Sequence, residues 1–113
     1  MQQIDRSGVI RFADARARIP AGEEGVGLAR RGSLDIRLNA LRPPNGVATH
    51  PTDEIYVVIE GEGVFVHGGR KDRVSPGDFL FVAAGTEHWF EDFEGPLMLW
   101  RLWIGPAGGA VPL

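Results

Sequence analysis

The turn-forming residues of this chain recur at short intervals, and their spacing limits the folds that it can adopt. The 113 residues include 16 glycines and 8 prolines, and the short runs between them alternate apolar with polar side chains. An amphipathic helix needs about 10 or more uninterrupted residues, and few of the intervals are that long. The pattern is typical of an all-β sandwich or barrel.

Six strands and one short helix are predicted between the turns. The alternating runs are bounded by residues such as Pro76 and Gly77, which favour reversal of the chain. The predicted strands are 33–41, 54–59, 63–67, 78–82, 88–91 and 97–104, and the predicted helix is 13–18. The glycine-rich segment 22–27 is predicted to be a loop, because no convincing helix follows whose N-terminus could bind a phosphate.

Length and composition favour one domain that needs no disulfide bond. A chain of this size buries roughly 60–68% of the surface that its unfolded form exposes, and it contains no cysteine. We expect a single domain over 1–113, with an N-terminal arm 1–29, a core barrel 30–105 and a C-terminal tail 106–113. No apolar run could span a membrane, and the first residues lack the apolar core of a signal peptide. A cytoplasmic protein without membrane contact is therefore expected.

Charge is distributed unevenly along the chain, whose net charge is −3. Through Arg42 there are eight basic and five acidic residues, and after it there are four basic and ten acidic residues. No basic cluster interleaved with aromatic residues is present, so binding to nucleic acid is not expected. The half of the chain after Arg42 is predicted to be acidic.

That acidic half contains the candidate metal ligands His50, Glu54 and His88. Without cysteine, histidine and carboxylate are the plausible ligands for a metal ion. Two imidazoles and one carboxylate suit a divalent transition metal and leave coordination positions open for a substrate. The alternative is that the three are polar residues at the mouth of a pocket, hydrogen-bonded to one another or to water. His67 lies beside a glycine turn and is predicted to be a surface residue.

The spacing of these residues resembles the two sequence motifs of the cupin family. In the first motif, His50 is followed after three residues by Glu54 and after six more by Gly61; in the second, Gly77 and Gly85 lead to His88. The resemblance covers 48–92. It implies an all-β fold, the double-stranded β-helix barrel of two antiparallel sheets, with a metal in the barrel mouth. It also implies a homodimer, because small cupins commonly pair through an outer sheet.

Three positions depart from the cupin pattern. Ala48 stands where the motif has a first histidine, Ala83 where it has a proline, and Asp92 where it has an asparagine. Loss of the first histidine has two alternative outcomes. The site becomes a 2-His-1-carboxylate triad with an additional open position, or its metal affinity falls until the metal is lost. Asp92 shares the inward face of His88 if the strand extends that far.

Tyr56 shares a strand face with Glu54 and is the candidate catalytic residue. Its hydroxyl could hydrogen-bond a substrate or a metal-bound oxygen, or it could simply pack at the pocket mouth. Trp100 and Trp103 lie on opposite faces of the last strand, so one is expected to line the interior and the other to cover an outer sheet or meet a partner subunit.

Arg37 and Asn39 share one face of the strand that precedes the first motif. If that face points inward, the two side chains could hold a substrate carboxylate. Otherwise they are solvated residues at a sheet edge.

The resemblance and the ligands together predict a metal-dependent enzyme that acts on a small molecule. The expected cofactor is a divalent transition metal, with Fe(II) preferred and Zn, Mn, Ni or Co as alternatives, and a non-haem Fe dioxygenase-like activity is the most specific form of the hypothesis. The alternative is a non-catalytic barrel that binds a metal or small ligand as a sensor or structural module. No nucleophilic elbow or Schiff-base lysine motif supports covalent catalysis.

Overall fold

A computed structural model describes residues 2–110 as nine strands and one short helix. The bounds follow the predicted alternation closely for most of the strands. In chain order the elements are β1 Gln2–Gln3, α1 Phe12–Ala17, β2 Gly25–Arg31, β3 Leu34–Leu41, β4 Asp53–Glu60, β5 Gly63–His67, β6 Arg70–Val74, β7 Phe79–Val82, β8 His88–Glu91 and β9 Leu97–Ile104.

The strands form two sheets, and the all-β prediction is confirmed. The larger sheet has the strand order β1-β2-β3-β9-β4-β7, and the smaller has the order β6-β5-β8. The prediction of two antiparallel sheets is wrong at one edge, because β1 runs parallel to β2. Hydrogen bonding within residues 2–110 divides the strands between two sheets that do not close into one barrel, so the barrel part of the prediction is not confirmed.

The principal core lies between the two sheets. Alternate residues on each strand point inward, as the period of two in a pleated strand requires. Tyr56 and Leu99 of the larger sheet meet Phe65 and Phe90 of the smaller one in this core. Leu99 has no exposed surface, and truncation of such a side chain to alanine typically costs 2–5 kcal/mol. The core therefore holds the inner faces of both sheets in fixed positions.

A second core covers the outer face of the larger sheet. Ala15 of α1 is buried there with Leu38 and Met98, and the Phe12 ring meets Trp100 at a centroid distance of 6.2 Å. The segment 2–10 lies across the same face beside Trp100 and leaves a groove of about 540 Å³. Part of the apolar outer face is thus covered by this chain's own N-terminal region.

Three strands were not predicted: β1, which is only two residues long, and β2 and β6, each for a local reason. β2 begins inside the segment predicted to be a loop, because Gly25 packs closely against β3: a Cβ there would lie 2.6 Å from Asn39 Nδ2. The glycine thus serves close packing of two strands rather than a turn. β6 is a charged edge strand whose first four residues are exposed, so it lacks the apolar alternation that identifies a strand.

No helix of the part that the structure describes is long and apolar enough to cross a membrane.

Candidate metal centre

Two loops and two strands bring the candidate ligands together at one end of the inner core. Glu54 lies near the start of β4, His88 begins β8, and His50 lies in the loop before β4. The backbone N–H of Gly85 donates to the carbonyl of His50 at 2.8 Å, which ties the two motif loops together. Asp53 holds the same region from the other face of β4, because its carboxylate accepts from the N–H of Ala84 at 3.0 Å.

The ligand atoms of His50, Glu54 and His88 all lie within 4.8 Å of one another. His88 Nε2 is 2.8 Å from Glu54 Oε1, and His50 Nε2 is 3.3 Å from Glu54 Oε2. Ligand atoms that share one ion at about 2.1 Å lie about 3–4 Å apart, so the spacing suits a common metal. Glu54 and His88 are 0% and 1% exposed, while the His50 side chain is 24% exposed. The cluster therefore opens toward solvent at His50.

The hydrogen bonding of His88 leaves two acceptors facing each other. Its Nδ1 lies 2.9 Å from the carbonyl of Thr86, so that nitrogen carries the proton and Nε2 keeps a lone pair. Glu54 Oε1, opposite Nε2, is buried and accepts no hydrogen bond within residues 2–110. The Tyr56 hydroxyl lies 3.3 Å from Nε2 and can donate its one proton to only one of these two buried acceptors, so the other is costly unless a cation lies between them. This donor set fits a divalent metal ion.

Charges around Glu54 keep its carboxylate ionised. Burial raises the pKa of Glu54, but contact with His88 and the positive charge of Arg101 outweigh it, with further help from Tyr56 and His50, and lower that pKa from 4.5 to about 2. The pKa of His50 is also lowered, mainly by burial; Arg101 and His88 add to that effect and Glu54 opposes it. An anionic carboxylate and a neutral imidazole are the forms that bind metal.

Arg101 and Trp103 contact the cluster and were missed as site residues from sequence. Arg101 Nε donates to Glu54 Oε2 at 3.1 Å, and Arg101 Nη2 donates to His50 Nε2 at 2.5 Å. The indole N–H of Trp103 donates to the same oxygen of Glu54. The signal was present in β9, where Arg101 is a lone charge in an apolar strand. Of the two tryptophans, Trp103 is the inward one and Trp100 packs outside against this chain's own helix.

Tyr56 lies beside His88 and is paired directly with Arg101 across β4 and β9, with the Arg101 guanidinium carbon 5.4 Å from the centre of its ring. Its hydroxyl is 3.3 Å from His88 Nε2, and its ring packs edge-on against Phe90 at a centroid distance of 5.3 Å. Burial raises the pKa of Tyr56 above its ordinary value, Arg101 opposes that shift, and Glu54 adds to it. The phenol is therefore neutral and able to donate a hydrogen bond.

Ala48 is paired directly with His88 in an isolated antiparallel bridge. Ala48 N–H donates to the His88 carbonyl at 2.9 Å, and His88 N–H returns a bond of 3.0 Å to Ala48. Directly paired residues place their side chains on the same face. The methyl group of Ala48 thus shares the face of the His88 imidazole, which agrees with the placement of Ala48 at the first histidine of the motif.

Asp92 and His67 both lie outside the ligand cluster. β8 ends at Glu91, and Asp92 adopts a left-handed φ of 54° and pairs with Arg73 on the surface at 3.1 Å, so it does not share the inward face of His88. His67 reaches the surface in part, since 24% of its side chain is exposed and the ring pairs with the exposed Asp72. Its partly buried ring stacks on Phe65 at a centroid distance of 4.5 Å, outside the ligand cluster.

The entrance to the cluster carries basic side chains, although the candidate ligands come from the acidic part of the chain. A cleft of about 420 Å³ reaches His50 and Trp103, and Arg30 and Asp35 line its opposite wall. Arg37 borders this entrance through two of its lining residues, because it donates to Asp35 and its guanidinium carbon lies 4.6 Å from the centre of the Trp103 ring. Folding places arginines from the basic first part of the chain beside ligands from the acidic second part. Asn39 instead donates to the carbonyl of Glu24 at 3.1 Å.

Known proteins resemble this chain in sequence and in fold. It is 37% identical over 57 residues to the dimethylsulfoniopropionate lyase DddQ of Ruegeria pomeroyi, across 50% of this chain and 28% of that protein. It is 49% identical over 45 residues to an acireductone dioxygenase of Rhodopseudomonas palustris, across 36% of this chain and 27% of that protein. The matches thus span less than a third of each relative's length.

The fold is shared with a solved structure from Bacillus halodurans. The TM-score is 0.73 at 23% identity, and the superposition covers 90% of this chain and 83% of the other. The family model named Cupin_2, the cupin domain, matches residues 41–105, which contain both motifs and all three candidate ligands. The chain belongs to the cupin family.

Proposed function

We propose that this protein is a metal-dependent enzyme acting on a small molecule, with His50, Glu54 and His88 as the metal ligands. The observation that carries the proposal is the buried Glu54 Oε1, which has no donor within residues 2–110 and faces the lone pair of His88 Nε2. Fe(II) is the proposed metal, because two histidines and one carboxylate are typical of non-haem iron oxygenases. Zn, Mn, Ni and Co suit the same donor types.

The surrounding residues prepare these ligands for binding and leave access for a substrate. The Thr86 carbonyl fixes the tautomer and ring orientation of His88, as outer-shell partners of metal-ligating histidines commonly do. When bound, the metal would polarise a substrate oxygen or activate dioxygen. The small side chain of Ala48 leaves space on the face of His88. Tyr56 is the proposed catalytic residue, because its neutral hydroxyl can donate a hydrogen bond to a substrate oxygen beside His88.

The similar proteins favour an enzyme without selecting the reaction. One relative is named a lyase and another a dioxygenase. A dioxygenase-like activity is the more specific proposal, because the ligand set is the one used by non-haem iron oxygenases. We propose that the partner is a small molecule rather than a nucleic acid or membrane, in one domain with a cytoplasmic location.

The second candidate function is a non-catalytic barrel in which Arg101 replaces the metal as the internal cation. Its guanidinium contacts both Glu54 Oε2 and His50 Nε2, and only 15% of its side chain is exposed. This ion pair already offsets the negative charge of Glu54. A pocket with a resident arginine could bind a small ligand as a sensor without turnover.

Metal analysis separates the two candidates. The protein is purified without chelator or histidine tag, and its metal content is measured before oxygen consumption is tested with catechols, diketones and thiols. Bound iron with turnover supports the enzyme, and bound metal without turnover supports a sensor. No metal in wild type, even after anaerobic addition of Fe(II), would contradict the metal site.

Two histidine variants test the assignment of the ligands. We expect His88→Ala to lose the metal, whereas His67→Ala should retain wild-type content, because His67 interacts with Asp72 at 2.7 Å outside the cluster. Equal metal content in His88→Ala and wild type would refute the proposed triad. Circular dichroism of both variants checks that they remain folded.

We also propose a homodimer. Phe79 and Phe81 project from the outer face of the edge strand β7 with 66% and 55% exposure, and exposed apolar groups of this kind commonly mark an interface. Light scattering tests the oligomeric state directly, and a mass of 12.3 kDa at micromolar concentration would contradict the dimer. Phe79→Ser combined with Phe81→Ser should shift the protein toward the monomer.

A further inference from the structure

We propose that the entrance to the metal centre binds the carboxylate group of a small organic anion, with Arg37 as the principal contact and Arg30 as the second. This inference defines the substrate class and rests on the proposed function only for the role of the metal. The anion contacts themselves are made by residues outside the ligand cluster.

Arg37 is positioned by its strand and by two neighbours. It is paired in register with Arg101 across β3 and β9, so both side chains lie on the inward face. Its Nε donates to Asp35 Oδ1 at 3.1 Å, and its guanidinium lies over the Trp103 ring. Asp35 and Trp103 therefore orient the guanidinium and reduce the entropy lost when it binds a ligand.

The terminal nitrogens of Arg37 remain available to a ligand. They donate to no hydrogen-bond acceptor in the described part of the chain, since the contact with Asp35 uses Nε alone. The side chain is about one-third exposed. Arg30 donates to the second oxygen of Asp35 at 2.9 Å and lines the cleft directly, whereas Arg37 borders it through Asp35 and Trp103. A planar carboxylate matches the parallel N–H groups of a guanidinium, which gives it the better fit over a spherical anion.

The local charge favours an anion, although the chain as a whole is negative. Arg30 lines the entrance, and Arg37 and Arg101 each lie 4.6 Å from the Trp103 ring that also lines it. The carboxylates paired with these arginines are Asp35 and Glu54. Three positive charges against two negative ones leave a local excess of one while the histidines are neutral, and a bound dication would add to it. A cleft with this balance attracts anions from solution.

The anion site and the metal centre share the Trp103 side chain. Arg37 contacts its ring at 4.6 Å, and the His50 ring lies 5.0 Å from the same indole. A carboxylate on Arg37 would therefore place the rest of a small molecule beside the metal ligands. The cleft volume of about 420 Å³ is within the range of small-molecule sites. The substrate class is thus a small carboxylic acid with its reactive end at the metal.

Calorimetric titration with succinate tests the inference, with succinamide as the neutral analogue and inorganic phosphate as the second anion. Each probe is added to the metal-free and to the Zn(II)-loaded protein, because the metal-free series excludes direct chelation. We expect succinate to bind in both series, succinamide to bind at least tenfold more weakly, and phosphate to bind more weakly than succinate.

Variants of the arginines identify the contact. Arg37→Gln should weaken succinate binding about tenfold and leave Zn(II) affinity within about threefold of wild type. Arg37→Lys retains the positive charge without the paired N–H donors of a guanidinium. Its succinate affinity should lie between those of wild type and Arg37→Gln. The matched control is Arg31→Gln. Arg31 is adjacent to Arg30 in β2, but it donates to the Ile4 carbonyl and not to Asp35. Circular dichroism checks the folding of each variant.

Three results would overturn the inference: wild-type succinate binding in Arg37→Gln, equal affinity for succinate and succinamide, or tighter binding of phosphate than of succinate. Failure of the proposed metal function has a different signature. Protein that never binds metal but still discriminates succinate from succinamide through Arg37 would retain the anion site and lose the metal centre.

Discussion

The two carboxylate oxygens of Glu54 have opposite surroundings. Oε2 accepts from Arg101 and from the indole of Trp103, and both donors come from β9. Oε1 faces His88 Nε2 at 2.8 Å and has no donor in the described residues. One oxygen thus accepts from fixed protein donors, whereas the other faces the proposed metal position. The comparison supports the proposal that one carboxylate oxygen holds Glu54 in place and the other binds the metal.

Among the variants that test this comparison, Glu54→Gln should have the largest effect on metal affinity. The amide oxygen can keep the donors of the Oε2 side, while the new N–H group can donate to His88 Nε2, so the metal-free protein should stay folded. The anionic ligand is lost, however, and we expect metal affinity to fall more than about 100-fold, beyond the effect of an outer-shell change. Calorimetric titration with Fe(II) or Zn(II) measures it.

Retention of wild-type metal affinity in Glu54→Gln would show that Oε1 is not a ligand. Glu91→Gln is the matched control. Glu91 also accepts from a tryptophan, Trp89, at 3.3 Å, but it lies on the surface away from the cluster, and its replacement should leave metal affinity unchanged.

Arg101→Gln tests Glu54 Oε2, the carboxylate oxygen that accepts from Arg101. Removal of one partner from a mostly buried ion pair should lower the free energy of unfolding of the metal-free protein by about 3 kcal/mol. It also removes a positive charge beside the metal ligands, so metal affinity should rise about tenfold. Urea unfolding and metal titration measure the two effects.

The exposed pair of Arg73 and Asp92 provides the control for Arg101. Arg73→Gln should leave both measurements near wild type, since surface ion pairs contribute little. An Arg101→Gln variant that is destabilised but binds no metal would support the non-catalytic barrel, in which Arg101 itself is the resident cation.

Acid should destabilise the metal-free protein through protonation of His50 and of Glu54. In the folded state the pKa of His50 is lowered from 6.5 and that of Glu54 is lowered from 4.5 to about 2. A lowered pKa in the folded state contributes stability above the unfolded value, and that stability is lost as the pH falls. The free energy of unfolding should therefore begin to decrease below pH 6.5 and decrease further between pH 4.5 and 2.

Urea unfolding at a series of pH values measures this dependence. In Glu54→Gln the decrease below pH 4.5 should be smaller than in wild type. A free energy of unfolding that stays constant from pH 7 to pH 3 would show that neither group is perturbed by the folded structure.

The candidate metal ligands could be predicted from sequence, whereas the arginines that surround them could not. His50, Glu54 and His88 were identified because motif spacing fixes them on known strands and loops. Arg101 and Arg37 lie in strands that are distant in sequence, and their approach to Glu54 depends on the register between β3, β9 and β4. Strand register is set by tertiary packing, so the sequence alone did not place these arginines beside the ligands.

The strands also differ in how well the sequence predicts them. The alternating strands β4, β5 and β9 were predicted almost to the residue, because one buried face imposes a period of two. β6 was missed because its first four residues are charged and exposed. It is a strand only because β5 pairs with it through a hairpin whose turn is Gly68 and Gly69.

Ala48→His should produce the smallest change in metal affinity, and it tests the open position near Glu54 Oε1. Because Ala48 is paired directly with His88, a histidine side chain there would start about 5 Å from that of His88 and could reach the same ion. The added imidazole must lose rotamer freedom to bind, so we expect metal affinity to increase only about fivefold. Any reaction that needs the open position should slow at the same time, whereas a sensor would show tighter binding with no loss of function. Thr49→His, at the neighbouring exposed position, is the control, and equal metal affinities of the two variants would mean that position 48 does not face the metal.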